Sequence, residues 1–315
     1  KSLGQNALAI SDHGSMSALW EAQQHGDSVG MKIIHGCEFY FQYDEPFGKK
    51  EHGHLLILAK NDIGLRNMFR MHQWASRYNF KRKARITWEV LKQHAEGLIV
   101  TSACLGSEFN QFIMAGRVAE AKEWARKFKE TFGSDFYIEL QPNALPEQQL
   151  ANSTGIRIAR ELGIELVATN DVHYTFEDDC YPHEVLLAMQ FNNKMSSEKR
   201  FRFPSNDFWL KSESEMYETF TGLDKAIAEE AINNTTIIAD KCNARIEKGH
   251  YLTPFHTIPE GKTERQLLVE KILEGSKNRG LNKDRAFMEA VQHEVNVIDR
   301  NGYSGYFMVV QDFVV

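Results

Sequence analysis

The sequence predicts an α/β fold made of parallel βα units, arranged either as a barrel or as a doubly wound sheet. Short apolar runs alternate with longer stretches of helical period through the first 175 residues of the 315-residue chain. The composition is 42% hydrophobic and 25% charged, which excludes disordered, collagen-like and coiled-coil proteins. The longest apolar runs have five residues. A membrane helix needs about 20, so no membrane span is predicted.

Six short apolar runs are predicted to be strands. They lie at residues 7–10, 33–41, 55–59, 98–100, 136–140 and 166–168. Helices are predicted between several of them, at 118–132, where apolar residues recur at helical spacing, and at 146–162, which Gly163 terminates. Strands that alternate with helices of this length are typical of parallel βα units.

The pattern changes after about residue 175. Residues 200–212 are predicted to form a short extended pair around a turn at 204–206. Three helices are predicted to follow, at 213–221, 223–242 and 263–279. The intervening stretch 248–262 carries two of the seven prolines and has no helical period. We therefore expect a domain boundary near 245–262.

Charge and cysteine content narrow the class of protein. The chain has 37 Lys+Arg and 43 Asp+Glu, a net charge of −6, which argues against nucleic-acid contacts over the whole surface but permits a local basic groove. Four scattered cysteines without a CxxC pair exclude a disulfide framework and predict a cytoplasmic protein. The first residue is Lys and the last three are apolar, so we expect a piece of a longer protein.

Side chains of metal-ligand type follow the first apolar residues of four of the predicted strands. They are His13, Glu38, Cys104, and the pair Asp171 and His173. In a βα barrel the carboxyl ends of the strands converge at one mouth, so these side chains would lie close together. The Asp-x-His pattern is the sharpest, because residues i and i+2 of an extended chain point to the same face. The sequence therefore predicts a metal centre at the mouth.

Each of these residues also has an ordinary structural interpretation. The loop containing His13 is compatible with a turn that caps the next helix, Glu38 with a charge on an edge strand, and Cys104 with a small buried hydrophobe. Their occurrence after four separate strands favours the metal site. His54 precedes its strand instead of following it, so position alone does not choose between His54 and His52.

A basic run is the candidate for nucleic-acid contact. It comprises Lys81, Arg82, Lys83 and Arg85 and follows two aromatic residues. Such a run suits a phosphate backbone, although it is also typical of a solvated loop. No Gly-rich phosphate loop and no nucleophile elbow is present in the sequence, which disfavours P-loop hydrolysis and hydride transfer.

Several longer motifs carry a family resemblance. In chain order they are ALAISDHGSMSAL, KIIHGCEFY, HLLILAKNDIGLRNM, GLIVTSACLGSEF, DFYIELQ, ELGIELVATNDVHY, RFRFPSNDFWLKS and GYSGYFMVVQDFV. With them the chain resembles the PHP (polymerase and histidinol phosphatase) domain at the start of bacterial DNA polymerase III alpha subunits. The resemblance implies a distorted (β/α) barrel with metals at its mouth over residues 1–245. It implies a mainly helical start of the polymerase palm region over 246–315.

The resemblance also implies a ligand set and what lies outside the chain. The matching ligand positions are His13, Glu38, His54, Cys104, Asp171 and His173, so the resemblance adds His54. The family's first motif, HxH followed by an acidic residue, would lie upstream of Ala7, and the polymerase aspartates beyond Val315. Imidazole, carboxylate and thiolate together favour Zn²⁺ or Mn²⁺ at the PHP site, with Mg²⁺ expected at the polymerase site downstream.

The implied function is DNA-directed DNA synthesis by the whole protein, with the PHP domain as a metal-dependent 3′→5′ exonuclease or phosphoesterase. The implied partners are primer–template DNA and replisome subunits, among them a sliding clamp and a separate proofreading subunit. One alternative is a stand-alone phosphatase for a small monoester such as histidinol phosphate, which the helical C-terminal region disfavours. The other is a non-catalytic module that stabilises a polymerase and docks partners, which six ligand-type residues disfavour.

Overall fold

A computed structural model describes residues 1–47, 49–143, 145–220, 222–247 and 258–314. The chain divides into two compact units, residues 1–246 and 247–315. Most of the segment in which we expected a boundary, 245–262, lies outside the described residues. The assignment of the two units to a PHP domain and a polymerase core stays a prediction.

Strands and helices alternate along the first unit. Its strands in the described part of the chain are β1 (Ala7–Ile10), β2 (Lys32–Phe47), β3 (Lys50–Ala59), β4 (Phe80–Lys81), β5 (Lys83–Ile86), β6 (Leu98–Thr101), β7 (Phe136–Leu140) and β8 (Glu165–Ala168). Its helices are α1 (Leu19–Val29), α2 (Asp62–Tyr78), α3 (Trp88–Gln93), α4 (Glu108–Met114), α5 (Val118–Phe132), α6 (Pro146–Leu162), α7 (Cys180–Gln190), α8 (Glu213–Thr219) and α9 (Lys225–Lys241).

The strands form one sheet in the order β4-β5-β2-β3-β6-β7-β8, with β1 also paired to β2. The sheet curls into a half-barrel, which confirms the α/β class and the barrel-like arrangement. The expectation of parallel units throughout is wrong for β3, which runs antiparallel to both β2 and β6. Phe47 of β2 pairs with Lys50 of β3. A connection this short permits only an antiparallel pair, because a parallel one needs a crossover of a dozen or more residues.

Side chains of the sheet point alternately to two different cores. On β7, Phe136, Ile138 and Leu140 face the large core shared with the surrounding helices. Tyr137 points the other way, into the concave side of the sheet, where it packs with inward-facing residues of four other strands and with Ile238 of α9. Helix α9 therefore fills one end of the half-barrel interior and leaves the other end to polar residues.

Helix positions agree closely with the sequence predictions. Helices α5 and α6 have the predicted bounds, and Gly163 ends α6 in the left-handed conformation (φ 61°), which glycine adopts at low cost. Helix α8 begins with a capping box in which Ser212 and Glu215 bond each other's backbone N–H groups. Helix α9 begins at a cap on Asp224.

The predicted extended pair at 200–212 does not form. Trp209 instead makes a parallel bridge with Tyr174. The Asn170 side-chain amide donates to the carbonyls of Asp207 and Trp209, at 2.9 and 2.6 Å. The backbone of this segment therefore finds its partners in the loop after β8 and not in a hairpin of its own.

The second unit is helical in its described residues. It contains α10 (Glu264–Asn278), α11 (Arg285–Arg300) and α12 (Ser304–Val314). This confirms the mainly helical C-terminal region that the family resemblance implies. Among the described residues of the whole chain, no helix is both long and apolar enough to cross a membrane.

Candidate metal centre

The direction of β3 decides which histidine reaches the mouth of the half-barrel. Because β3 is antiparallel to its neighbours, its first residues lie at the edge where the parallel strands end. Tyr40 of β2 pairs with His54, and Gln42 pairs with His52, so His52 lies two residue pairs farther from Glu38 than His54 does. The structure therefore brings His54 to Glu38 and places His52 against the Tyr40 ring, 5.5 Å between centroids.

Glu38 is the centre of a cluster with two histidines. One carboxylate oxygen, Oε1, lies 3.0 Å from Nδ1 of His54, and the other contacts Nδ1 of His13. One ligand atom from each residue fits within 4.8 Å of the other two. Glu38 is buried at 7% exposure, whereas His13 is open to solvent. The trio is thus a set of metal-ligand atoms with access from one side.

The loop after β1 is fixed against β2 so that His13 meets Glu38. Gly14 N–H donates to the Glu38 carbonyl at 2.8 Å, and Glu38 N–H donates to the Asp12 carbonyl at 3.1 Å. Gly14 has a φ of 57°, and a Cβ there would lie 2.5 Å from the Tyr40 ring. Only glycine meets both requirements, which explains the sequence Asp-His-Gly at this turn.

Electrostatics of the trio follow from its burial and its hydrogen bonds. Burial alone would raise the pKa of Glu38, but hydrogen bonds from His13 and His54 and their charges outweigh it and lower that pKa to about 2. The hydrogen bond between His13 and Glu38 raises the pKa of His13. A carboxylate this well supplied with neighbouring nitrogen donors is ionised at neutral pH, as a metal ligand must be.

Cys104 adjoins the trio. Its Sγ lies 3.3 Å from Nδ1 of His54 and 3.6 Å from Oε1 of Glu38, and it accepts the N–H of Gly106 at 3.4 Å. Burial, and then the charges of Glu38 and Asp171, raise the pKa of the thiol well above its usual range. The structure thus places a sulfur atom in contact with two of the three clustered residues.

Asp171 and His173 approach the cluster from the loop after β8. Their chain is not extended as the sequence predicted, because Asp171 adopts the left-handed conformation with a φ of 48°. Nδ1 of His173 lies 2.6 Å from the Asp171 carbonyl and 3.9 Å from its carboxylate. The His173 ring lies 5.6 Å from that of His13, between centroids. Burial raises the pKa of Asp171, with a further rise from Glu38.

A cavity of about 540 Å³ opens beside these residues. Five of the six predicted ligand residues line it, and they are His13, Glu38, Cys104, Asp171 and His173. His54 contacts Glu38 and Cys104. The donor set fits a divalent cation, because imidazole, carboxylate and sulfur atoms converge on one pocket.

Glu139 is a residue of the cavity that the sequence reasoning missed. It is buried in β7 and accepts hydrogen bonds from Thr101 and Thr169, both at 2.5 Å, and from Gln141 at 3.0 Å. Burial raises its pKa. The available signal was a charged residue inside the otherwise apolar strand FYIEL. It lies on the concave face, two residues beyond Tyr137.

The structure divides the basic run into different environments. Arg85 is buried and pairs with Glu51 at 2.8 Å, so it is not free to bind phosphate. Arg82 lies at the tip of the β4–β5 hairpin with a φ of 64°. The Nζ of Lys83 donates to the Tyr40 hydroxyl at 2.9 Å, and its charge opposes, without cancelling, the rise in the pKa of His13. The predicted nucleic-acid role of Lys81, Arg82, Lys83 and Arg85 stays a prediction.

Comparison with known proteins gives a consistent result. A model of the PHP domain family matches residues 1–143. The chain is 35% identical to the DNA polymerase III subunit alpha of Treponema pallidum over 326 residues, covering 100% of this chain and 27% of that protein. It is 33% identical to the Aquifex aeolicus protein of the same description, covering 100% of this chain and 29% of that protein. It is 31% identical to the Thermus aquaticus protein of the same description, covering 98% of this chain and 30% of that protein. The chain therefore spans less than a third of each of these relatives.

Proposed function

We propose that this chain holds a metal-dependent phosphoesterase site. The proposal starts from the match of residues 1–143 to the PHP domain family. The observation that carries the proposal is the convergence of His13, Glu38 and His54 at the mouth of the half-barrel. Cys104 and the loop of Asp171 and His173 adjoin this trio and face the same cavity.

The residues have distinct roles in this proposal. Glu38 presents one oxygen to each neighbouring histidine, so a cation held there would meet carboxylate and imidazole atoms together. Asp171, His173 and Cys104 complete the donor set. Such a set favours Zn²⁺ or Mn²⁺, because Mg²⁺ prefers oxygen ligands and keeps its waters. A bound divalent ion would supply Lewis-acid activation of water and neutralise phosphate charge.

The substrate in the proposal is the 3′ end of DNA, and the reaction is 3′→5′ exonucleolytic hydrolysis. The support is similarity along the whole chain to DNA polymerase III alpha subunits. We propose residues 1–245 as the PHP domain and 246–315 as the start of a polymerase core, within a replicative polymerase that works in the cytoplasm. Its partners would be primer–template DNA, a sliding clamp and a separate proofreading subunit, and Mg²⁺ would serve a polymerase site downstream.

The test compares two neighbouring histidines. The purified protein is given a 5′-labelled primer with a mispaired 3′ end, with Mn²⁺ or Zn²⁺, and the shortening rate is measured. Mutating a residue that only orients a metal ligand lowers activity by about 10–100-fold, so removing a ligand itself should lower the rate by about 100-fold or more. We therefore expect His54→Ala and Asp171→Asn to abolish most activity.

His52→Ala is the matched control, since His52 lies on the same strand and face but away from Glu38. It should retain the activity of the unmodified protein. Equal activity in all the variants would exclude this site as the nuclease. A protein that binds metal but hydrolyses neither DNA nor a small phosphate monoester would support the non-catalytic alternative instead.

A further inference from the structure

Residues 190–203 carry exposed aromatic rings that are not accounted for by the core. Phe191 and Phe201 are each 51% exposed, and their rings pack against each other at 5.4 Å between centroids. Burying such rings in the protein would be favourable, so their exposure at one place points to a ligand-binding surface. We refer to residues 190–203 as the platform.

The platform is continuous with the candidate metal centre. Phe201 contacts Phe203 at 5.9 Å, and Phe203 contacts the His173 ring at 4.7 Å. His173 in turn lines the cavity beside the Glu38 cluster. A ligand that lies on the exposed rings would therefore reach the cavity by following a series of adjacent rings.

Positive charge is interleaved with these rings. Lys194, Lys199 and Arg202 are exposed, and within the described ranges none of the three has a carboxylate partner at salt-bridge distance. Arg200 differs, because it is buried and pairs with Glu184 at 2.5 Å. Glu198 is the acidic residue of the platform, against four basic ones, in a chain whose net charge is −6. The positive excess is thus local and solvent-accessible.

This combination fits a single-stranded nucleic acid better than other ligands. Exposed phenyl rings stack on unpaired bases, and lysine and arginine bind the phosphates between them. The bases of a duplex are already stacked on one another and offer no free faces. A protein partner of mainly apolar character would gain nothing from the interleaved charges.

We propose that the platform binds single-stranded DNA and directs its end into the cavity at His173. The strand's binding is independent of catalysis, whereas the use of the bound end as a substrate rests on the function proposed above. Phe191 and Phe201 provide stacking, and Lys194, Lys199 and Arg202 provide phosphate contacts.

The experiment measures binding of a fluorescently labelled oligothymidylate by anisotropy, in EDTA so that no hydrolysis occurs. Phe191→Ala with Phe201→Ala should weaken binding by at least about tenfold, since each lost stack has a measurable effect on affinity. Lys199→Gln with Arg202→Gln should reduce the slope of log affinity against log salt by about 0.7 for each charge removed.

Two matched controls are available elsewhere in the first unit. Phe69→Ala removes a ring that is 43% exposed on α2, and Lys92→Gln removes an exposed charge on α3. Both should leave affinity and salt slope unchanged. The platform rings are exposed, so their loss should leave the thermal unfolding temperature close to that of the unmodified protein.

Unchanged affinity in the double phenylalanine variant would overturn the proposal that the platform binds single-stranded DNA, whatever the nuclease activity of the protein. Loss of binding in that variant supports the platform even if the protein hydrolyses no DNA, a result that would count against the proposed function alone. If the protein is a nuclease, the double variant should raise KM for an oligonucleotide and leave hydrolysis of a small phosphodiester unchanged.

Discussion

Two buried glutamates in the first unit have pKa values shifted in opposite directions by their surroundings. Hydrogen bonds from two histidines lower the pKa of Glu38 to about 2, against the effect of burial. Burial raises the pKa of Glu108 to about 7, and hydrogen bonds from Trp124, at 2.8 Å, and from the backbone of Asp44 only partly offset it. Glu38 is therefore charged and suited to a cation, whereas Glu108 is a structural carboxyl.

The raised pKa of Glu108 predicts that the stability of the protein depends on pH. Its pKa is about 7 in the folded protein and 4.5 ordinarily, so the folded state holds the proton more tightly. The free energy of unfolding should then fall as pH rises from about 4.5 to 7. Glu108→Gln should remove this dependence and stabilise the protein at pH 8 by about 1–3 kcal/mol.

Urea unfolding at pH 4.5, 6 and 8 checks this expectation. Glu96→Gln serves as the control, because Glu96 is exposed and lies outside the Glu108 pocket. Parallel pH profiles for the unmodified protein and Glu108→Gln would show that Glu108 is not a source of the pH dependence.

At the residue scale, the sequence predicted most of the candidate site. Ligand-type residues after strands identified His13, Glu38, Cys104, Asp171 and His173, and the structure brings these to one cavity. His54 needed the family resemblance, because its place depends on the antiparallel direction of β3. Glu139 was missed, since nothing local in the sequence shows which face of β7 is concave.

At the scale of elements, the approach of α2 to the loop before β6 is unusually close. A Cβ on Gly64 would lie 1.8 Å from the carbonyl oxygen of Gly97, a backbone atom that cannot rotate away. Asn61 caps α2 by accepting the N–H of this same glycine at 3.0 Å. The contact fixes the start of α2 against the strand that follows the loop.

Gly64→Ala should therefore destabilise the protein by at least about 2 kcal/mol, because backbone must move to admit the methyl group. Thermal unfolding measures the effect. Gly222→Ala is the control, since a Cβ there would meet nothing within 4 Å. A Gly64→Ala protein as stable as the control would mean that α2 and the loop are not in this contact.

Helices were predictable because their signals are local. Apolar spacing and a terminating glycine define α5 and α6 within the segment itself. The segment 200–212 was misjudged because its hydrogen-bond partners, such as Asn170, lie about 40 residues away. Strand direction failed for the same reason at β3, where the turn outweighs the βα pattern of the chain.

At the scale of the whole first unit, α9 completes the fold by filling the concave side of the sheet. Ile238 packs with inward-facing residues such as Tyr137. Lys241 donates to the Tyr137 hydroxyl at 2.9 Å and pairs with Asp135 at 3.0 Å, and Asp135 also pairs with Lys60 at 2.7 Å. The half-barrel is therefore closed at one end by a helix and open at the other, where the candidate metal centre lies.

Ile238→Ala should destabilise the first unit by about 2–5 kcal/mol, since its side chain is 4% exposed and its loss leaves a cavity. The adjacent Ile237 is 48% exposed, so Ile237→Ala should change the free energy of unfolding by less than about 0.5 kcal/mol. Urea unfolding of the pair provides the comparison. Equal effects would mean that α9 does not dock through the face that carries Ile238.

The measurement that tests the central claim most directly is the metal content of the purified protein, by elemental analysis after dialysis against Zn²⁺ and then metal-free buffer. Glu38→Gln and Glu108→Gln each replace one buried carboxylate, but only Glu38 lies between His13 and His54. We expect stoichiometric zinc in the unmodified protein and in Glu108→Gln, and little in Glu38→Gln. Zinc absent from all three, or retained equally by Glu38→Gln, would contradict a metal centre built around Glu38.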